Sequence, residues 1–186
     1  NRGPALPLQR SPTIISGSMS SLSHGLSAGV DGITRCFWCG NDPLYTHYHD
    51  TDWGFPVRDD RRLFEKLSLE GFQSGLSWIT ILRKRQNFRT AFAGFDIEKV
   101  AHFGVRDVTR LLSDAGIVRH RKKIEATIGN ARRCAELIDT EGSLADYVWR
   151  FEPDANSRPR RLTWSVLKTM STTPESIALS KDLKRR

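Results

Sequence analysis

Glu70-Gly71-Phe72-Gln73-Ser74-Gly75-Leu76-Ser77-Trp78 is the stretch from which the rest of the chain is best read. It follows the apolar residues Leu63, Phe64 and Leu67 at helical spacing, and two glycines then interrupt the helix just before a tryptophan. A carboxylate, a flexible turn and a large aromatic face thus arrive together. Enzymes that draw one base out of a DNA stack need such a combination, a π surface to stack on and a polar group to read the base edge. Upstream, Trp38, Tyr45, Tyr48 and Trp53 form a second aromatic group that could supply the opposite wall. Aromatics beside a helical turn more often belong to a core, so at this point both readings stand.

Working outward, Asp59 or Asp60 is placed to cap the helix that carries Leu63, Phe64 and Leu67, which is predicted to end around Gly71. Ser77 can cap a third helix through Phe92, with Ile79, Leu82 and the basic run Arg83-Lys84-Arg85. Before it, Asp42-Pro43 reads as a helix start, with Asp as N-cap and Pro in the first position. Tyr45, Tyr48 and His49 then share one face, and Gly54 and Pro56 end the segment. After it come a short helix opened by Asp96 and running from Ile97 to His102, a helix from about Arg106 to Ala115, and a long one from about His120 to Ile138. Ser143 begins a short helix holding Tyr147, Val148 and Trp149, and a polar link follows Pro153. Thr172 or Thr173, with Pro174 and Glu175, starts a last helix that reaches Arg186. No stretch alternates like a strand for more than a few residues, and no internal repeat is found. The expected fold is all-α.

Residues 1–34 are rich in Ser, Gly and Pro, hold a single acid (Asp31) and lack periodicity. Such a segment cannot bury enough surface to offset the entropy of ordering, so a disordered tail is expected there, with one helical domain over 35–186. With 186 residues, 38% of them hydrophobic, the chain can bury a real core in that single domain. A net charge of +8 and a pI near 9.8 make a polyanion the natural partner, while a merely soluble basic protein fits the charge equally well. Three cysteines are too few, and odd in number, for a disulfide framework, which points to a reducing compartment. No apolar run approaches the length of a membrane span, so no membrane partner is expected. The tail has no unbroken apolar segment of a secretory signal. Its Arg-bearing, acid-poor composition is compatible with an organelle transit peptide, and translation from Met19 fits as well. The expected location is therefore cytoplasmic (the bacterial nucleoid), or organellar if the tail is a transit peptide.

Two further constellations carry chemistry. Leu111 to Ile124 reads as a helix, a turn at Gly116 and a second helix start, a geometry that presents backbone N–H groups to a phosphate oxygen. Arg119, Arg121, Lys122 and Lys123 would add salt-sensitive attraction to a nucleic-acid backbone. The alternative is an ordinary helical hairpin with a solvated basic face. Cys36 and His49, 13 residues apart, could be half of a tetrahedral zinc site. Cys39 makes Cys-x-x-Cys with Cys36, but there is no second such pair, which disfavours a zinc ribbon. His24, His47, His102 and His120 fit surface positions as readily as ligand positions.

Arg35-Cys-Phe-Trp38, Asp42-Pro-Leu-Tyr45, Tyr48-His-Asp50, Trp53-Gly54, Leu69-Glu-Gly71, Gly75-Leu-Ser-Trp78, Asp114-Ala-Gly-Ile117 and Gly129-Asn-Ala131 resemble, in order, the DNA-3-methyladenine glycosylase I family. The resemblance extends from Arg35 to the end of the chain. It implies the fold of the helix-hairpin-helix glycosylase superfamily and hydrolytic excision of N3-methylated adenine from double-stranded alkylated DNA, without strand cleavage. It implies that Glu70 reads the lesion base with Tyr48 as its hydrogen-bonding neighbour. Trp78 would be the ring that stacks on the base, with Trp38, Tyr45 and Trp53 around it. Separately, a monomer is expected. The resemblance implies zinc held by Cys36 and His49, with the family's other two ligands, a His and a Cys, in a segment past the position matching Arg186. On that basis the chain is expected to lack the family's C-terminal segment and to hold zinc weakly. Leu76 would be the wedge that fills the gap left by a flipped base. The rivals are a non-catalytic DNA-binding relative, which the intact Glu70, Tyr48 and Trp78 argue against, and a small zinc adaptor, which the cysteine count argues against.

Overall fold

The structure, a computed structural model, describes residues 25–186. Short polar side chains set where its helices begin. Asp42 accepts from Leu44 and Tyr45 N–H and starts α1 (Pro43–Thr51); Asp59 accepts from Arg62 N–H and starts α2 (Asp60–Gln73). α3 (Trp78–Ala91) follows Ser77, whose hydroxyl bonds the Thr80 hydroxyl rather than a backbone N–H. Asp96 caps α4 (Ile97–Ala101), His120 caps α6 (Arg121–Glu141), Ser143 caps α7 (Leu144–Trp149) and Thr173 caps α9 (Pro174–Leu183). Between them lie α5 (Val105–Ser113) and α8 (Trp164–Thr169). The all-α expectation holds, with single 3-10 turns at Phe37–Cys39, Ala93–Phe95 and Ala155–Ser157.

The centre is a run of phenylalanines. Phe72 from α2 meets Phe88 from α3 at 4.6 Å between ring centroids, and Phe92 and Phe95 stack at 5.6 Å. All four are fully buried, worth roughly 1.5–3 kcal/mol each in area removed from water. Phe95 reaches its place only because the backbone at Ala93, Gly94 and Phe95 runs at φ of 52°, 67° and 56°. That left-handed turn costs roughly 1–2 kcal/mol per non-glycine residue, and the burial of Phe95 offsets it. α6 lies across this core and packs along α4, α2, α5 and α7. Its buried stripe is Ile124, Thr127, Ile128 and Ala131. Among the described residues no helix is long and apolar enough to cross a membrane.

Four expectations need correction. Order begins before residue 35: β1 (Leu26–Ala28) pairs antiparallel with β2 (Thr34–Cys36), with Ser27 opposite Arg35. The strands are too short for alternation to show, and an ion pair fixes the hairpin instead. Arg35, 8% exposed, donates to Asp31 at 2.9 Å and to Asp50 at 2.7 Å. The remainder of the expected disordered tail, residues 1–24, lies outside the described residues. Second, Leu67 is half exposed, and the buried face of α2 is Leu63, Phe64, Leu69 and Phe72 with Glu65 and Ser68. Third, α2 continues through Gly71 to Gln73, and Gly75, at φ 82°, is the glycine that turns the chain. Fourth, the polar link after Pro153 contains α8, whose Trp164 meets Phe37 edge-on at 5.9 Å and so ties this segment to the N-terminal hairpin.

Candidate active site

α1, the 3-10 turn before it and the start of α3 bring the aromatic side chains together. Position 48 faces inward on α1, so Tyr48 is buried at 5% exposure, while Tyr45 one turn earlier is half-buried. The 3-10 turn after β2 carries Trp38 onto the same face, 5.0 Å from Tyr45, 5.2 Å from Trp53 and 6.5 Å from Tyr48. Trp78, the first residue of α3, closes on Tyr48 from the far side at 5.5 Å. The five rings expected from the sequence therefore form one contiguous set, and Trp53 remains largely exposed. The Trp78 Nε1–H is buried and has no hydrogen-bond partner among the described residues. Burial raises the Tyr48 phenol above its ordinary range, and the nearby charges of Glu70 and Asp52 raise it further. Tyr48 thus keeps its proton and can donate.

Glu70 sits on the solvent side of α2, near enough for its charge to act on Tyr48. Glu70 is itself exposed. The buried carboxylate is Glu65, just over one turn earlier. Its oxygens accept from Arg85 Nε at 2.6 Å and from Arg89 Nε at 3.0 Å, and Arg85 also donates to Asp52 at 2.9 Å. Burial alone would pull the Arg85 guanidinium down, but Glu65 and Asp52 outweigh it and hold it raised. Glu65 is therefore spent on structure, and Glu70 is the carboxylate left facing outward beside the rings.

Lys66 was not anticipated. Its ammonium lies 3.5 Å from the Tyr48 hydroxyl and 5.9 Å over both the Tyr48 and Trp78 rings. The signal was available, since Lys66 and Glu70 are four residues apart on one helix and share a face.

The glycine hairpin is present between α5 and α6, but its backbone is already engaged. Gly116 N–H donates to Asp114 Oδ1 at 2.7 Å, and the Gly116 carbonyl accepts from Lys84 at 3.2 Å and Asn87 at 3.3 Å. A Cβ at Gly116 would come within 2.9 Å of Asp114 Oδ1 and 3.0 Å of Asn87 Nδ2. The glycine thus serves close packing, and its N–H is not free for a phosphate. Arg119, Arg121 and Lys122 are exposed as expected, with Arg121 paired to Glu125 at 3.2 Å. Lys123 is not: its ammonium turns inward onto the carbonyls of Phe72 at 2.9 Å and Ser74 at 2.5 Å. Leu76 protrudes beside Gly75, 41% exposed.

Cys36 and His49 also meet. Cys36 N–H donates to His49 Nε2 at 3.3 Å, and Asp50 holds Nδ1 at 2.9 Å, which sets Nδ1 as the protonated nitrogen. The Cys39 thiol donates to the Cys36 carbonyl at 3.1 Å, and burial raises its pKa. Among the described residues no group of three or more His, Cys, Asp or Glu side chains is placed to hold a metal ion. The two candidate ligands alone fall short of the four a structural zinc takes.

The family model for methyladenine glycosylases matches residues 38–186. The chain belongs to the methyladenine glycosylase family. It is 48% identical over 153 residues to DNA-3-methyladenine glycosylase 1 of Escherichia coli (strain K12), covering 82% of this chain and 80% of that protein. A crystal structure of 3-methyladenine DNA glycosylase I superposes with a TM-score of 0.73 at 47% identity, covering 81% of this chain and 82% of that one. A tyrosine-to-phenylalanine variant of 3-methyladenine DNA glycosylase I, crystallised in complex with 3-methyladenine, superposes at 0.71 with 36% identity, covering 81% and 80%. Within this family, the contiguous ring set and the exposed Glu70 beside it are the features around which a function can be argued.

Proposed function

We infer that this methyladenine glycosylase family member hydrolyses the N-glycosidic bond of N3-methylated adenine in alkylated DNA, the first step of base-excision repair. The observation that carries this reading is the contact of Tyr48 with Trp78 at 5.5 Å, with Lys66 of α2 over both rings and Glu70 exposed one turn further along the same helix. N3 methylation makes the base cationic in the nucleotide. An aromatic face attracts such a ring by roughly 0.5–2 kcal/mol, depending on desolvation, and attracts neutral adenine far less. With the base stacked on Trp78, the Tyr48 hydroxyl has a proton to donate to a ring nitrogen, and the Glu70 carboxylate can accept from the exocyclic amine.

The chemistry asks little more of the protein. Water attacks the sugar C1′, the C1′–N9 bond breaks, and its electron pair neutralises the departing base while the water proton passes to solvent. In this scheme Glu70 and Tyr48 recognise and orient rather than act as nucleophiles, and no amine attacks the sugar, so the product is an abasic site on an unbroken strand. We propose double-stranded DNA as the partner, because a protruding Leu76 has a role only where flipping leaves a gap in a stack. A single chain supplies every group invoked, which fits a monomer. A zinc ion at Cys36 and His49 would supply structural cross-linking, and no step of the reaction is routed through it.

The test is to incubate the protein with methylated duplex DNA, separate the released bases and score the strands. Free 3-methyladenine together with alkali-labile, otherwise intact strands is the expected outcome. Binding without base release would overturn the reading.

A further inference from the structure

The turn that separates Glu70 from Trp78 is not held by its own residues alone. Ser74 at φ −47°, ψ 115° and Gly75 at φ 82°, with Leu76 N–H donating to the Gln73 carbonyl at 2.6 Å, make a tight turn. It follows directly on the C-terminal end of α2, where backbone carbonyls have no partner within the helix. The ammonium of Lys123, in the first turn of α6, covers two of them, Phe72 and Ser74. The residues are 51 and 49 positions apart in sequence, so this is a strut between distant elements. A second strut runs the other way: Lys84 of α3 reaches across to the carbonyls of Ala115 at 3.0 Å and Gly116 at 3.2 Å.

We propose that Lys123 is a positioning residue, and that the Lys123 and Lys84 struts lock the glycine hairpin and the base-site turn into one rigid unit. Lys123 belongs by sequence to the basic run at residues 119–123, yet its charge is directed at protein carbonyls rather than outward. Arg119, Arg121 and Lys122 face solvent and are left to meet phosphates. When they seat the hairpin on a DNA backbone, the struts carry that placement to Leu76 and Trp78, which flank the turn on its far side. Lysine suits this role. It has three donors on a flexible stem and a compact charge that favours the carbonyl end of a helix. This assignment rests on the base-excision reading for its consequence, though not for its geometry.

The experiment compares the full chain carrying Lys123→Met, Lys123→Gln or Lys123→Arg with wild type and with Arg121→Ala. Three quantities are read: single-turnover base release, the salt dependence of binding to undamaged duplex, and amide exchange at Leu76. Lys123→Met should slow base release about 10–100-fold, the loss expected when reacting groups shift by about an ångström. It should leave the salt slope unchanged, whereas Arg121→Ala lowers it by roughly 0.9. Exchange at Leu76 should quicken tenfold or more, Lys123→Gln should fall between, and Lys123→Arg should recover most of both losses. A Lys123→Met protein whose salt slope falls like that of Arg121→Ala, with turnover kept, would show a phosphate contact and overturn the proposal. Unchanged exchange at Leu76 would overturn it as well. If wild type releases no base, the enzymatic reading fails by itself, and the exchange measurement still decides the strut.

Discussion

Replacing Glu65 by alanine removes the carboxylate that Arg85 and Arg89 share. The carboxylate is 5% exposed, so its loss leaves two guanidinium groups partly desolvated and facing each other. Breaking a buried ion pair by deleting one partner costs about 3–5 kcal/mol. Here Arg85 is 20% exposed and retains Asp52 at 2.9 Å, and Arg89 is 38% exposed, so water takes up part of the charge. The lower end, about 3 kcal/mol, is the reasoned figure, which for a domain of this size lowers the melting temperature by about 6–12 °C. Thermal unfolding followed by circular dichroism at neutral pH measures it. Glu65→Met combined with Arg85→Met and Arg89→Met removes the three charges of the cluster, leaves Asp52 paired with Arg62 at 3.2 Å, and should recover most of the loss. A single variant melting within about 2 °C of wild type would refute the reasoning, as would a triple variant no more stable than the single one.

Neutralising Arg119 and Lys122 together should weaken binding to all duplexes alike and reduce the salt slope by roughly 1.8; an unaltered slope in a binding titration would make them a solvated face only. Asp182 is held at about 2 by the Tyr147 hydroxyl and by Arg185 and Arg186, well under an ordinary carboxylate. A folded-state value below the unfolded one gives stability that is complete above about pH 4 and is lost as pH falls toward 2. α9 should accordingly loosen over that window, and Asp182→Asn should remove that part of the acid transition seen by near-ultraviolet circular dichroism. Burial pushes the Cys134 thiol up to about 11, with Asp60 adding to it, so its thiolate is roughly one part in a thousand at pH 8. Alkylation of Cys134 should therefore run about 100-fold or more slower than that of a free cysteine at pH 8, as mass spectrometry of the labelled peptide can check.

Much of the fold was legible because capping is local. Asp42, Asp59, Asp96, Ser143 and Thr173 announce helix starts through side-chain oxygens only two or three residues from the N–H groups they meet. The ring set was legible too, since Tyr45 and Tyr48 follow from helical spacing and Trp78 from the turn after Gly75. What escaped depends on distance in sequence. The β1–β2 hairpin is only three residues a side, and its Arg35 is fixed partly by Asp50, which lies on α1. Leu67 and Leu69 are equally apolar, and only the packing of α2 against α3 and α6 decides which is buried. Glu65 and Glu70 are chemically identical on one helix, and Arg85 and Arg89 from α3 separate their roles. Lys123 differs from Lys122 by one position on α6, and that rotation turns its ammonium from solvent to the end of α2.

Recognition of the excised base by Glu70, Tyr48 and Trp78 can be probed with Glu70→Gln, which removes a charge from an exposed position with almost no change in shape. Base release from methylated duplex DNA should fall by about 100-fold or more in a single-turnover assay, in line with losing a positioned charged partner. Affinity for undamaged duplex and the melting temperature should remain within error of wild type, because phosphate contacts and the buried core lie elsewhere. Glu70→Gln releasing 3-methyladenine at the wild-type rate would contradict the account.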